Sequence, residues 1–246
     1  DKLKETWQGL IESVGALKKQ GKIRFEKVKK YDVVYVTMHF AKADLDARIV
    51  FDTERNIAGL FFTAAKVDAP YKAPDYVKKN RFADIELKID SAVGKLPASL
   101  SLPRGEGPFP VIILVHGSGP NDRDETVIGT KVFKDLAEGL ASRGIAVIRY
   151  EKRTKIYAAR VQSMPEFTID EETVTDAARA AALLRSQKEI DPKRVYVLGH
   201  SLGGYISPRI IEEDGKLAGV VVMAGNARPL EDLIVDQAEY VGVTTQ

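Results

Sequence analysis

The sequence predicts an α/β protein, with a doubly wound, mostly parallel sheet preceded by a small α+β domain. Three observations carry the prediction. After about residue 80, short apolar runs alternate with segments of helical period, the signature of βαβ units. Before about residue 65, a single helical period is followed by four closely spaced β-rich runs. Between them, residues 66–80 (KVDAPYKAPDYVKKN) hold two prolines, four lysines and no period, which reads as a linker. The expected division is therefore 1–65, 66–80 and 81–246.

In the first region Trp7, Leu10, Ile11, Val14 and Leu17 recur at helical spacing, with Gly21 placed to end the helix. The runs Ile23–Val28, Asp32–Phe40, Leu45–Phe51 and Ile57–Phe62 follow. In the third, Leu45, Ala47, Ile49 and Phe51 alternate with polar residues, as on a half-buried strand. Residues 52–56 supply a turn into the fourth. This is one helix and an antiparallel meander.

In the second region Phe82–Ile89 and Ala98–Leu102 form an antiparallel lead-in, with a turn expected around Gly94–Pro97. Val111–Val115 is continuously apolar, which suits a strand buried on both faces. A helix is expected over Lys131–Arg143, with Val132, Phe133, Leu136 and Leu140 on its inner side, then a strand at Ile145–Tyr150. Thr168 or Asp170 can cap a long helix reaching Gln187, whose packed stripe is Val174, Ala177, Ala178, Ala181 and Leu184. Arg194–Leu198, Leu202–Glu213 and Leu217–Met223 read as strand, helix and strand. Ligands of such sheets bind at the carboxyl ends of the strands.

Composition narrows the function classes. Hydrophobic residues make up 44% of 246 positions, enough for a sizeable core, and the net charge is +2. Residues 1–80 carry 16 basic against 11 acidic side chains, a mild excess with no dense Lys/Arg stripe, so neither a nucleic-acid nor a membrane-surface partner is indicated. The absence of cysteine removes disulfides, thiolate catalysis and Cys-rich zinc sites. No apolar run reaches the roughly 18–20 residues of a spanning helix. The chain opens on Asp1, so a signal peptide would already be gone; the compartment stays open, with secretion or the periplasm favoured over the cytoplasm.

The chemistry sits in Gly199-His200-Ser201-Leu202-Gly203, a G-x-S-x-G between the strand VYVL and a helix. That context makes it a nucleophile elbow: the turn is so tight that glycine is needed on both sides, and Ser201 is held strained with its hydroxyl above the sheet. The N–H of Leu202, at the helix start, faces the oxyanion position. The competing reading is a chance motif in a loop. A second turn, His116-Gly117-Ser118-Gly119-Pro120, follows Val111–Val115 and supplies the other oxyanion donor from Ser118 or Gly119. Dinucleotide binding is disfavoured, because Asp122 stands where a third glycine would be needed. No cofactor and no metal are expected.

From about residue 82 the chain resembles the α/β-hydrolase superfamily, most of all bacterial esterases of the dienelactone-hydrolase and prolyl-oligopeptidase-like branch. The runs HGSGPNDRDET, GIAVIRYEKR and VLGHSLGGYISPRI carry the resemblance, within a subgroup that has a small N-terminal α+β domain. It implies Ser201 as the nucleophile of a serine carboxylic-ester hydrolase with a small-molecule ester substrate. Leu202 and the Ser118/Gly119 turn would hold the oxyanion, with Asn121, Asp122, Arg123 and Asp124 near the mouth of the site. Arg149 and Arg153 flank a strand end nearby. The plainer reading of these charges is a turn held by ion pairs. Acyl transfer or peptide cleavage on the same fold, or a binding protein that keeps the pocket, are the alternatives.

The departure from the family is the base. Chain order in the family is Ser, then Asp or Glu, then His. Here the histidines are His39, His116 and His200, all before Ser201. His39 lies on an N-terminal strand, His116 in the oxyanion turn, and His200 within the elbow with its side chain turned away from the nucleophile. The triad Asp and His are therefore expected beyond residue 246, and the 246-residue chain alone is expected to be inactive. Val220–Met223 would be an unpaired apolar edge, so the sheet is expected to be incomplete there and completed by the remainder of the same protein or by a homo-oligomer.

Overall fold

The computed structural model describes residues 2–244 apart from 29, 66–70 and 128. It divides into two compact units, residues 1–70 with 228–246, and residues 71–227.

In the first unit, helix α1 spans Lys2–Val14. Trp7, Leu10, Ile11 and Val14 are half-buried along one face, as their spacing predicts. The helix stops earlier than expected, at Gly15 (φ 81°), whose N–H donates to the Ile11 carbonyl. That left-handed residue is the glycine stop, so Leu17 and Gly21 lie in strand β1 (Leu17–Val28) instead. Strands β2 (Tyr31–Phe40), β3 (Asp44–Phe51) and β4 (Ile57–Ala64) complete an antiparallel meander in the order β1-β2-β3-β4. The Trp7 ring packs at 6.0 Å from Phe40 and 6.2 Å from Phe62, joining helix to sheet. At the turn over 52–56, the Asp52 carboxylate accepts the N–H groups of Glu54 and Asn56, each at 2.9 Å.

The second unit is built on a six-stranded sheet. It opens with the antiparallel pair β5 (Phe82–Ser91) and β6 (Gly94–Pro103). Their turn is tighter than expected: Ser91 pairs with Gly94, whose φ of 141° closes a two-residue turn, and Gly94–Pro97 belongs to the strand. Next come β7 (Phe109–Val115) and a small ribbon of β8 (Thr126–Val127) and β9 (Thr130–Lys131). Helix α2 (Val132–Ala141) and strand β10 (Ala146–Tyr150) follow. Two short helices, α3 (Arg153–Ile156) and α4 (Ala158–Gln162), fill a stretch for which no element was expected.

The long helix foreseen from Thr168 begins with a wider, π-type segment over Asp170–Val174 and continues as α5 (Thr175–Arg185). At its start Thr168 and Glu171 make half of a capping box: the Glu171 carboxylate accepts the Thr168 N–H at 2.9 Å and the Thr168 hydroxyl at 2.5 Å. Strand β11 (Ile190–His200) leads into α6 (Leu202–Tyr205) and α7 (Ser207–Asp214). The single helix expected over Leu202–Glu213 breaks at Ile206, where Pro208 in the first turn of α7 lacks the N–H that would continue the ladder. Strand β12 is Gly219–Met223, and α8 (Leu230–Thr244) belongs to the first unit.

Sheet order is β12-β11-β7-β10-β6-β5, with β12, β11, β7 and β10 mutually parallel and β6 antiparallel to β10. This is the doubly wound, mostly parallel sheet predicted. On one face Phe133 and Ala137 of α2 bury against Leu114, Val147 and Leu198. Burying a side chain such as Phe133 stabilises by roughly 1.5–3 kcal/mol. On the other face α5 presents Ala177, Ala180, Ala181 and Leu184, all fully buried; Ala180 takes the inner place expected for Ala178. The described part of the 66–80 stretch, from Tyr71 on, is strapped to α2. The Tyr71 hydroxyl donates to Asp135 at 2.6 Å, and the Lys78 N–H to the Ser142 hydroxyl at 2.8 Å. Among the described residues no helix is long and apolar enough to cross a membrane.

One buried ion pair ties the start of α3 to α5. Arg153 and Asp176 are 1% exposed each and meet in a two-pronged contact, 2.6 Å on both arms, with Thr175 accepting a third bond at 3.0 Å. Removing one partner strands the other charge in a dry interior. Asp176→Ala is expected to lower stability by about 3–5 kcal/mol in urea unfolding, far above a surface ion pair; a loss under about 1 kcal/mol would show that Arg153 finds water.

Candidate active site

Chain order in the sheet reverses beside β7, with β10 on one side and β11 on the other. The crevice at such a reversal, above the carboxyl ends, is where open α/β sheets bind ligands. Two turns meet there: residues 116–120 after β7, and residues 199–203 where β11 passes into α6.

Ser201 has φ 51° and ψ −114°, a strained conformation for a residue with a side chain. Its neighbours leave no alternative. A Cβ on Gly199 would lie 2.2 Å from the Gly203 carbonyl oxygen, and one on Gly203 would lie 2.4 Å from that of Val115. Only two glycines let the strand end, the helix start and the neighbouring strand touch backbone to backbone. The turn is pinned by the Ser201 N–H donating to Met223 O and by the Tyr205 N–H donating to Ser201 O, both at 2.9 Å. Ser201 is exposed while Leu202, Gly203 and Gly204 are buried, so the hydroxyl stands free above a packed helix start. Leu202 is the first helical residue, and the N–H there has no acceptor within the helix.

The first turn lies directly beside this one, for a Cβ on Gly117 would be 3.3 Å from that of Ser201. Ser118 is exposed, and Gly119 (φ 87°) carries the chain past it. Beneath them His116 is fully buried, edge-on to Tyr150 at 5.2 Å and tilted against Phe133 at 5.1 Å. Burial and the nearby Lys152 ammonium push its pKa down to about 3, so it is a neutral packing group. His200 turns to Glu125, with Nδ1 3.0 Å from Oε1.

The remaining candidates are engaged in ion pairs. Arg123 grips both oxygens of Glu86 at 2.9 Å and reaches Glu151 at 3.1 Å. Arg149 pairs with Asp124, which also takes Lys131 at 2.7 Å. Arg153 is committed to Asp176. Asp122 accepts the N–H groups of Asp124 and Thr126 and the Thr126 hydroxyl at 3.0–3.1 Å. Although burial opposes it, these bonds and Lys155 hold its carboxyl below the ordinary range. Asn121 donates to the carbonyls of Gly117 and Ser118 at 3.1 and 3.0 Å. The charged loop thus builds the turn.

Sequence reasoning missed Glu125 and Lys152. Glu125 is 3% exposed, has φ 46°, and accepts the Gly117 N–H at 2.9 Å. Lys152 is 2% exposed and donates to the Gly117 carbonyl at 2.8 Å and to Glu172 at 2.5 Å. Both sit inside the runs HGSGPNDRDET and GIAVIRYEKR. One more charge in a charged stretch carries no signal of burial.

The buried neutral state of His116 makes stability depend on pH. Its folded pKa lies below the unfolded value of 6.5, so between about pH 6.5 and 3 the unfolded chain binds a proton that the folded one refuses. Stability falls as pH drops through that window, by about 2–3 kcal/mol at pH 4.5 from this group alone. Urea unfolding of His116→Gln against wild type should show a correspondingly shallower acid loss; parallel pH curves would mean that His116 is solvated.

Known families match both regions of the chain. The family described as "Alpha/beta hydrolase family" matches residues 112–242, and one described as "Protein of unknown function (DUF3887)" matches residues 1–60. The chain is 41% identical to esterase EstD of Thermotoga maritima over 219 residues, 88% of this chain and 50% of that protein. It is 29% identical to the quorum-quenching protein AidA of Acinetobacter baumannii over 140 residues, 56% of this chain and 43% of that one. Among solved structures, a bacterial brefeldin A esterase, 17% identical, superposes with a TM-score of 0.47 over 70% of this chain and 47% of its own. The chain spans about half the length of EstD, and less of AidA. With a strained strand-to-helix turn at the sheet reversal, and the family's match over more than half of its residues, this chain belongs to the α/β-hydrolase family.

Proposed function

We propose that this chain carries the nucleophile and oxyanion site of a bacterial serine carboxylic-ester hydrolase. The observation that carries the reading is Ser201: strained, exposed, at the sheet reversal, between a helix N-terminus and a glycine turn. Similarity to an esterase over 88% of the chain supports the same class. In this reading the Ser201 hydroxyl loses its proton to a general base and attacks the ester carbonyl. The carbonyl oxygen becomes an oxyanion held by the N–H of Leu202 and that of Ser118 or Gly119. The alcohol leaves with a proton, and water then releases the acid from the acyl-enzyme. Preorganised donors of this kind are worth roughly 10²–10³-fold each.

Neither His116 nor His200 is arranged as the base. The first is buried and neutral, and the second is turned to Glu125. The proposal therefore takes the base and its carboxylate partner from outside residues 1–246, in the whole protein. The boundaries proposed with it are an α+β unit over 1–65, a linker over 66–80 and the hydrolase portion from 81.

The test uses the full-length protein with p-nitrophenyl acetate and longer acyl esters. Wild type is expected to turn over, and Ser201→Ala to fall at least about 10⁴-fold, to background, because the acyl-enzyme cannot form. Turnover by Ser201→Ala equal to wild type would remove the nucleophile and the reading with it.

A further inference from the structure

Gly117 is held through both of its backbone polar groups by buried charged side chains. Its N–H donates to Glu125 Oε1 at 2.9 Å. Its carbonyl accepts from Lys152 Nζ at 2.8 Å and from Asn121 Nδ2 at 3.1 Å. Lys152 and Glu125 are 2% and 3% exposed, and Glu172 Oε1, 2.5 Å from Nζ, anchors the lysine from its other side. Burial opposes the charge on Lys152, and Glu172 and Glu125 work to keep it. A buried ammonium is costly to keep where a neutral amide would satisfy one carbonyl, so its presence on this carbonyl calls for a consequence.

The consequence follows from the planarity of the peptide bond. In a trans peptide the carbonyl of one residue and the N–H of the next point in opposite directions. The only cis bond among the described residues is Gly107–Pro108. Fixing the Gly117 carbonyl on Lys152 therefore fixes the direction of the Ser118 N–H. A cation on the carbonyl also draws electron density through the amide and makes that N–H a stronger donor.

We propose that Lys152 is a positioning residue of this site: through the Gly117–Ser118 peptide it aims and polarises the Ser118 N–H as an oxyanion donor, with Glu172 holding Lys152 and Glu125 holding the opposite edge of the turn. This selects Ser118 over Gly119 as the second donor, and it rests on the ester-hydrolase reading of Ser201. Lys152 touches no reacting atom. Its effect grows as charge develops on the substrate oxygen, so it acts on the transition state more than on substrate binding.

The experiment uses the full-length protein with active-site titration by a fluorophosphonate carried to its end point, so that rates refer to folded, competent sites. Lys152→Met is expected to lower kcat per titrated site roughly ten- to hundredfold, with KM within about threefold. Affinity for an aryl trifluoromethyl ketone, whose adduct carries an oxyanion, should fall by a similar factor. Lys152→Arg, which keeps the charge, should recover part of the loss. If Lys152→Met folds poorly because Glu172 is left unpaired, Lys152→Met with Glu172→Gln removes that charge and should show the same split. An unchanged kcat per titrated site in whichever of these variants folds, or equal losses in kcat and in the fraction of titratable sites alone, would overturn the proposal and leave Lys152 a packing element. Ser201→Ala, run in parallel, separates the two levels: if it retains full activity, the ester-hydrolase reading fails, whatever Lys152 does.

Discussion

The approach of three backbone segments around Gly199 and Gly203 is the constraint from which the site follows. The end of β11, the start of α6 and the end of β7 come so close that an added methyl group at either glycine would overlap a carbonyl oxygen. Because the helix must begin immediately after the strand, the residue between them absorbs the whole reversal, and that residue is Ser201. A strained φ, ψ of this kind costs on the order of 1–3 kcal/mol. It is offset by the parallel pairing of β11 with β7 and β12, and by the buried layer of Leu114, Val147, Leu198, Phe133 and Ala137 beneath. The same closeness brings the Gly117 turn beside Ser201, so the two turns of the candidate site arise from one packing event.

Around that contact the protein places charge where it would ordinarily place apolar side chains. Lys152, Arg153, Arg149, Glu125 and Asp176 are all buried at the carboxyl end of the sheet. Buried pairs seldom add net stability. What they add here is direction. Arg153 and Asp176 fix the start of α3 to α5, while Arg149 and Asp124 fix the loop after β7 to β10. With Asn121 and the Asp122 turn, they tie a glycine-rich segment down beside Ser201. His116 is the apolar counterpart, a neutral ring wedged between Phe133 and Tyr150.

Much of this was legible in the sequence, and the reasons are physical. The elbow was legible because a G-x-S-x-G between a strand and a helix has few other uses, and the parallel sheet because apolar runs alternated with helical periods. The front helix stops short of the apolar period, since Leu17 continues that period past Gly15 and periodicity does not register a left-handed stop. The break in the helix after Ser201 leaves no mark in the pattern, because Pro208 is tolerated in a first turn as readily as it breaks an interior. The short helices α3 and α4 have too little length to show a period. Glu125, Lys152 and Glu172 were invisible for a different reason: their role is a set of pairings across 8 to 35 residues of chain, and charge in sequence says nothing about which partner it will meet.

The central claim is that strain and packing have made one hydroxyl, on Ser201, the reactive group of this chain. The most direct measurement is covalent labelling of the native full-length protein with a fluorophosphonate, followed by peptide mapping by mass spectrometry. The account predicts one adduct per chain, on the peptide containing Ser201, and none after unfolding in urea. An adduct on another serine, or labelling that survives unfolding, would contradict it.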